Sequence, residues 1–434
     1  MSDMLDKFRA LLGEVPKEWK VVKLKDIAET FISGGTPSTK NPEYWGGDIP
    51  WIRSVHITKY YIDESSIKQH ITKKGLENSS TKVVPKGNVI IATRVGIGNS
   101  AVNLIDVAIN QDLTGVIIDT SKIDPFFLVW YLHLPRVLML FELFSRGTTI
   151  KGIPKKHLQE LYVPLPSLPE QKKIAEILST IDKAIEKTDA LIHHYQQLKN
   201  ALMQKLFTEG IGHTRFKSSP LGQIPAEWDV VKFGDISEFK NGINFKGDLK
   251  GDVGILTIDV LNMYGEGIYL DMSNLYRVNM EVKENYLLQR GDILIVRSSL
   301  KQEGVGWASM FNGYHEPVTF CGFLIRARMK EGYRDTVLPE FLVYYLRSDI
   351  SRSMLISTSG KVAITNISQG LLKQLNIPLP PLEEQKKIAQ ILMTIDNKIE
   401  AEIKTKEELE KLKQGMMDKL LTGKVRVKVG EESG

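Results

Sequence analysis

The chain has 434 residues, with 57 Lys and Arg against 52 Asp and Glu, a net charge of +5 near neutral pH. Its 42% hydrophobic and 25% charged residues are ordinary for a globular protein and exclude a collagenous or wholly disordered chain. The single cysteine, Cys321, excludes an internal disulfide framework and any multi-cysteine zinc or iron–sulfur site.

In chain order, the opening Met1-Ser2-Asp3-Met4-Leu5-Asp6 is acidic and polar where a secretory signal is basic and then apolar. Residues 19–120 read as short strands with turn punctuation. Val89-Ile90-Ile91-Ala92 is a β-type run, and Gly34-Gly35-Thr36-Pro37-Ser38 and Trp45-Gly46-Gly47-Asp48-Ile49-Pro50 are loops. Asp124-Pro125 is an N-cap followed by proline at the first helical position. The apolar stretch from Phe126 to Phe141 is broken by His133, Pro135 and Arg136, short of the roughly 18–20 clean residues a membrane span needs. The expectation is a soluble, cytoplasmic protein with no membrane attachment.

A long helix follows. Ser167-x-x-Glu170 is a capping box, and apolar residues fall at Ile174, Leu178, Ile181, Ile185, Ile192, Tyr195, Leu198 and Leu202. Glycine stops it at Gly210. About 40 residues at 1.5 Å each make a rod of roughly 60 Å.

Then the chain repeats itself. Gly13-Glu14-Val15-Pro16-Lys17-Glu18-Trp19 returns 209 residues later as Gly222-Gln223-Ile224-Pro225-Ala226-Glu227-Trp228. Ile293-Leu294-Ile295-Val296 answers the apolar run of the first half. Pro164-Leu165-Pro166 with Glu170-Gln171-Lys172-Lys173-Ile174-Ala175 returns 214 residues later as Pro378-Leu379-Pro380 with Glu384-Gln385-Lys386-Lys387-Ile388-Ala389. The second helix carries Ile388, Leu392, Ile395, Ile399, Ile403, Leu409, Leu412 and Met416 and stops at Gly423. Each helix has one apolar stripe to bury, and the two make each other the expected partner. Thr188 and Lys406 are gaps in the two stripes. Two copies of domain size are a duplication rather than a solenoid. The middles of the halves carry insertions, deletions and different residues, so the halves share a frame and differ in what their middles do.

The fold class predicted is α+β: two tandem mixed α/β domains, each followed by a long helix, with the two helices pairing as an antiparallel coiled coil. The divisions fall at 1–157, 158–210, 211–371, 372–425 and 426–434.

This pattern resembles the DNA-specificity (S) subunit of type I restriction–modification systems. The resemblance rests on Val15-Pro16-Lys17-Glu18-Trp19 and Ile224-Pro225-Ala226-Glu227-Trp228, on the Gly34–Ser38 loop with Tyr44-Trp45-Gly46-Gly47-Asp48-Ile49-Pro50-Trp51, on the duplicated Glu-Gln-Lys-Lys-Ile-Ala, and on residues 420–427. It covers essentially the whole chain. It implies two target-recognition domains that read an asymmetric, two-part site in double-stranded DNA. It implies two methyltransferase (M) subunits, which carry S-adenosylmethionine and flip the target adenine, and restriction (R) subunits that use ATP and Mg. The specificity subunit itself holds no cofactor or metal and catalyses nothing. The second domain departs from the pattern: Asn241-Gly242-Ile243-Asn244-Phe245-Lys246 stands where the Gly-Gly-Thr-Pro-Ser loop would be.

Base edges and phosphates ask for Arg, Lys, amides and hydroxyls. The candidates in the first domain are Thr36, Ser38, Lys40, Arg53, His56, Lys59, Arg94, Asn110 and Gln111. In the second they are Lys240, Asn244, Lys246, Arg297, Ser298, Lys301 and Lys361. Arg94 and Arg297 both follow an apolar strand and are read as equivalent. Gln171, Lys172, Lys173, Gln385, Lys386 and Lys387 are the candidates for docking two identical partners.

Enzyme motifs are weak. Asn41-Pro42-Glu43-Tyr44 lacks the second proline of an amino-methyltransferase motif and has no glycine-rich cofactor loop before it. No phosphate loop is present. Glu281 and Lys283 with Asp271 are a chance-level nuclease pattern, and His193 and His194 point about 100° apart on a helix. A protein-interaction scaffold remains the alternative at this stage, with a stand-alone methyltransferase or nuclease behind it.

Overall fold

The computed structural model describes residues 13, 15–145, 152–265, 267–299, 304–358 and 366–428. They belong to two compact units, Met1–Lys187 with Glu407–Gly434 (unit 1) and Thr188–Lys406 (unit 2). The division cuts both long helices near their middles. Each unit therefore holds one mixed domain, the start of the helix that follows it, and the end of the other helix.

Unit 1 begins with β1 (Lys20–Lys23) and β2 (Ala28–Ser33), then β3 (Trp45–Ile52), β4 (Tyr61–Ile62) and β5 (Gln69–Ile71). A short helix α1 (Lys73–Glu77) precedes β6 (Lys82–Val84), β7 (Val89–Ala92), β8 (Ser100–Asn103), β9 (Val107–Ile109) and β10 (Leu113–Ile118). Next come α2 (Pro125–Leu132), α3 (Pro135–Phe144), α4 (Lys155–Gln159) and β11 (Tyr162–Leu165). One sheet runs β2-β10-β7-β8-β4 and a second β5-β3-β9-β6, while β1 pairs with β11. The pair β3–β9 is parallel, with Trp51 opposite Ala108 and Ile52 opposite Ile109. The apolar run at β7 is buried at every position, as a strand covered on both faces must be.

The Asp124 carboxylate accepts from the Phe127 N–H at 2.9 Å, and Pro125 opens α2. The break at His133 and Pro135 separates α2 from α3, which are bent by 72°. That bent pair is long and apolar enough for a broken span, yet all of Phe127–Leu132 is buried in the unit's core. Among the described residues no single helix is long and apolar enough to cross a membrane.

The long helix α5 (Leu168–Thr208) contributes its start to unit 1 and its end to unit 2. Unit 2 then has β12 (Phe216–Ser219), β13 (Gly222–Pro225), β14 (Asp229–Lys232), α6 (Phe233–Ile236), β15 (Ser237–Asn241), β16 (Lys250–Gly251), β17 (Ile255–Ile258) and β18 (Tyr276–Val278). It continues with β19 (Ile293–Val296), β20 (Ala308–Met310), β21 (Val318–Phe320) and β22 (Leu324–Met329). It closes with α7 (Pro339–Arg347), α8 (Asp349–Thr358), α9 (Gln369–Gln374), β23 (Asn376–Leu379) and the first part of α10 (Leu382–Leu420). Its sheets run β15-β22-β19-β20 and β16-β18-β17-β21, with β14 on β23 and β12 on β13. Here β17–β21 is the parallel pair, with Ile258 opposite Phe320.

Within each unit the two helix segments run antiparallel. In unit 1, Lys413 of α10 pairs with Asp182 of α5 at 2.6 Å and sits over the rings of Tyr60 and Trp130. Burial opposes the Lys413 charge, but bonds to Asp182 and Tyr60 lift its pKa above the usual value. In unit 2, Lys199 of α5 pairs with Asp396 of α10 at 2.5 Å. Both partners are the repeat equivalents of the first pair. Lys406, a gap in the apolar stripe, pairs with Asp189 at 2.7 Å, and Thr188 is buried. The ends of the helices enter the cores: Ile174, Leu178, Met417 and Leu420 in unit 1, Phe207, Ile388 and Leu392 in unit 2.

Candidate nucleic-acid interface

In unit 1 the ends of β2, β3, β7 and β9 meet. The Gly35 N–H donates to the Ile109 carbonyl at 3.0 Å, and Asn110 N–H to Ile52 at 3.1 Å. Thr93 N–H donates to the Asp112 carbonyl at 2.8 Å, and Ile153 N–H to Thr93 at 2.8 Å. Gly34 lies so close to β9 that a Cβ there would stand 2.2 Å from the Ile109 oxygen, so only glycine allows this approach. The Thr36 hydroxyl donates to the Gln111 side-chain carbonyl, linking the first loop to the last.

Unit 2 builds the same end from β15, β17, β19 and β21. Ile243 N–H donates to Phe320 at 2.9 Å and Cys321 N–H to Ile258 at 3.0 Å. Arg297 N–H donates to Phe323 at 2.8 Å and receives Ile367 N–H at 2.8 Å. A Cβ on Gly242 would stand 2.1 Å from the Cys321 oxygen. The loop that departs from the glycine-rich sequence of the first half therefore keeps its essential glycine. Asn244 takes the place of Thr36 and lies against Gly322, where a Cβ would be 2.0 Å from its side-chain oxygen.

These bonds fix which residues correspond. Thr93, not Arg94, is the counterpart of Arg297, since both donate to the last loop and both accept from the segment before the final short helix. The expected equivalence of Arg94 and Arg297 is corrected by one residue: Arg94 matches Ser298. Arg53 matches Asp259, Gln111 matches Gly322, and Asp112 matches Phe323. The backbones agree and the side chains do not.

Thr36, Ser38, Lys40, Arg53, Arg94 and Gln111 are exposed on these loops, and His56 is half-buried. Burial, then the charges of Arg53 and Lys68, hold the His56 pKa below its usual value. Its Nδ1 receives the Arg53 N–H at 3.3 Å, capping the turn it belongs to. Asn110 is buried and turned inward, its amide on Asp112 at 2.8 Å, so it shapes its loop and presents nothing outward. Lys59 also lies off this end, bonded to Tyr61 at 3.0 Å and paired with Glu186 of α5 at 3.4 Å.

In unit 2, Asn244 and Lys246 are exposed, and Arg297 and Ser298 half-exposed. The Arg297 guanidinium donates to Asn366 at 3.2 Å, a partner that sequence reading did not find because it lies 69 residues away. Lys240 sits within β15 with its ammonium 4.0 Å from the centre of the Tyr286 ring. Desolvation, then neighbouring Arg326, Lys283 and Arg328, lower its pKa. Lys301 and Lys361 lie outside the described residues. Cys321 is buried beside Asp259, and burial pushes its thiol up to about 12.

At the helix starts, Gln171 and Gln385 are wholly buried. Gln171 accepts from Asp124 N–H at 2.8 Å and donates to the carbonyls of Lys122 and Pro166. Gln385 repeats this with Leu338, Thr336 and Pro380. Every bonding direction points inward, so neither glutamine is a docking contact. They bolt helix to domain. Trp19 and Trp228 donate beside them to Glu170 at 3.3 Å and Glu384 at 2.9 Å. Arg426 completes the first site, at 2.6 Å from Glu170, and His213 the second, at 2.9 Å from Glu384. Lys172, Lys173, Lys386 and Lys387 are exposed on the same turns. Among the described residues no three His, Cys, Asp or Glu side chains gather as a metal site.

A family model described as the type I restriction modification DNA specificity domain matches this chain twice, at residues 16–192 and 225–411. The type I restriction enzyme MjaVIII specificity subunit of Methanocaldococcus jannaschii is 29% identical over 427 residues, spanning 98% of this chain and 97% of that one. The putative MjaX specificity subunit of the same organism is 31% identical over 439 residues, spanning 96% of each. The S subunit of a type I restriction–modification system from M. genitalium shares the fold, with a TM-score of 0.57 at 19% identity over 94% of this chain and 96% of that one.

Proposed function

Because the chain belongs to the type I restriction modification DNA specificity family, we propose that it recognises an asymmetric, two-part DNA target. The loop end of unit 1 reads one half and that of unit 2 the other. One observation carries this reading. Matched hydrogen bonds hold two sets of four loops in one geometry while their side chains differ, as two readers of different sequences require. Backbone and lysine contacts position such a reader, and base-edge contacts specify the site.

The chain supplies no catalysis in this reading. Methyltransferase subunits carrying S-adenosylmethionine and restriction subunits using ATP and Mg provide it, in the cytoplasm. The paired helices set the spacer between half-sites. The exposed Lys172 and Lys173 and their repeats Lys386 and Lys387 suit two copies of one partner, because the same surface is offered twice.

The test is methylome sequencing of a methylation-negative host that expresses this chain with its methyltransferase. A methylated motif in two parts with an undefined spacer is expected. Exchanging residues 13–157 for those of a homologue then changes one half alone. A complex that forms and yields no methylated motif overturns the reading.

A further inference from the structure

We propose that Val55 and Leu261 are specificity-determining residues that read the C5-methyl group of a thymine, one in each half-site. The inference rests on the DNA-reading function proposed above and assigns it a chemistry that polar residues cannot supply.

Both residues occupy the turn that leaves the central parallel strand. In unit 1 the turn starts at Arg53, whose N–H donates to His56 Nδ1 at 3.3 Å while His56 N–H returns to the Arg53 carbonyl at 2.9 Å. In unit 2 the Asp259 N–H donates to the Asn262 side chain at 2.9 Å, and Asn262 N–H returns at 3.1 Å. The same reciprocal pair thus closes both turns with different side chains. Val55 and Leu261 hold the same place inside, two residues past the cap. They are 60% and 83% exposed.

Single exposed apolar residues are common on any surface. This pair is not scattered. The two match by backbone hydrogen bonds, and both stay branched aliphatic while the residue two before changes from Arg53 to Asp259. A rigid, doubly capped turn removes the freedom by which an apolar tip would fold back on the protein. The same loop end of unit 1 carries the exposed Arg53 and the Thr36–Gln111 pair, groups suited to base edges and phosphates. In the major groove the thymine methyl is the apolar feature of a base pair, and aliphatic side chains are its complement.

The experiment uses the complex of the full chain with its methyltransferase, and duplexes carrying the motif found by methylome sequencing. Thymines are replaced by uracil one at a time, which removes only the methyl group. One uracil in each half-site is expected to weaken binding about fourfold, the worth of one buried methyl-sized group. Val55→Ala should become indifferent to uracil in the half read by unit 1, and Leu261→Ala in the other half, each leaving the opposite half unchanged. Uniform binding of all uracil duplexes overturns the inference, as does a Val55→Ala complex that keeps the full uracil effect. Half-sites with no A·T pair overturn it as well. A wild-type complex with no two-part motif instead overturns the function on which the inference stands, so the two failures are distinguishable.

Discussion

The loop end of unit 1 and that of unit 2 hang from the same backbone hydrogen bonds and present different chemistry. Gly34 and Gly242 make the same close approach, to Ile109 and Asn110 in one unit and to Phe320 and Cys321 in the other. From that common frame unit 1 presents Arg53, Arg94 and Gln111, while the matching positions of unit 2 hold Asp259, whose carboxylate accepts from Val260 N–H and the Tyr276 hydroxyl, and the half-exposed Ser298 and Gly322. The difference teaches where selection of a DNA sequence can act without cost to the fold. Backbone-to-backbone bonds are indifferent to side chains, so a loop fixed by them tolerates any residue that points outward. The glycines are the exception, because their Cβ positions are filled by neighbouring carbonyls.

The largest effect should come from breaking that exception on one side. Gly34→Val forces a Cβ into the Ile109 oxygen, and overpacking of this kind costs about 1–3 kcal/mol or more. The expected outcome is a methylated motif that loses definition in one half only. Gly242→Val should erase the other half. Loss of both halves from either change would show that the two ends are not independent readers.

A second pair of substitutions tests the sameness of the frame. Gln171→Leu and Gln385→Leu each leave one N–H and two carbonyls without their buried partner. Each unpaired group costs about 1–3 kcal/mol. Calorimetric unfolding of the two variants should show similar losses. A large loss in one and none in the other would sink the claim that both units are bolted alike.

These glutamines also show what the sequence reveals and what it hides. The repeat was legible because burial and capping restrict residue choice: Trp19 and Trp228, the proline-rich turns and the helix stripes had to recur. Recurrence alone, however, does not say which way a side chain points. Gln171 and Gln385 recur beside exposed lysines and look like docking residues until their hydrogen bonds are seen. Asn110 misleads in the same way, since an amide after a strand suits a base edge as well as an internal turn. The loop register was hidden for a different reason. Insertions let Arg94 and Arg297 be aligned by residue type, whereas the backbone bonds of Thr93 and Arg297 set the true correspondence.

That corrected register leads to a smaller effect. Arg94 has Ser298 as its counterpart, so the two units should differ in their electrostatic contact with phosphate at this position. Arg94→Ala should reduce the slope of log affinity against log salt by about one unit if the side chain neutralises one phosphate. Ser298→Ala should leave the slope unchanged. Filter binding across a salt series measures both. An unchanged slope in the Arg94 variant removes that residue from the phosphate contacts.

The smallest expected difference lies at the base of the domains, where β1 pairs with β11 and β14 with β23. In unit 1, Glu160 binds Lys23 and Lys25 at 2.5 and 2.6 Å, which hold its carboxyl at about 2. In unit 2 the repeat equivalent is Gln374, whose carbonyl accepts from Lys232 at 3.0 Å, a contact that does not titrate in the acid range. A carboxyl with a depressed pKa stabilises the fold above its unfolded value, roughly 4.3, and that contribution drains away as pH falls towards 2. The side chain is about a fifth exposed, so water screens the pair. Such pairs are worth at most about 1 kcal/mol. Glu160→Gln should therefore lower the unfolding temperature slightly at pH 7, and its deficit against the unmodified chain should shrink steadily between pH 4.5 and pH 2. A deficit that persists unchanged at pH 2 would mean that shape, not charge, is what Glu160 contributes. The acid sensitivity assigned to unit 1 alone would then be lost, leaving the two bases alike.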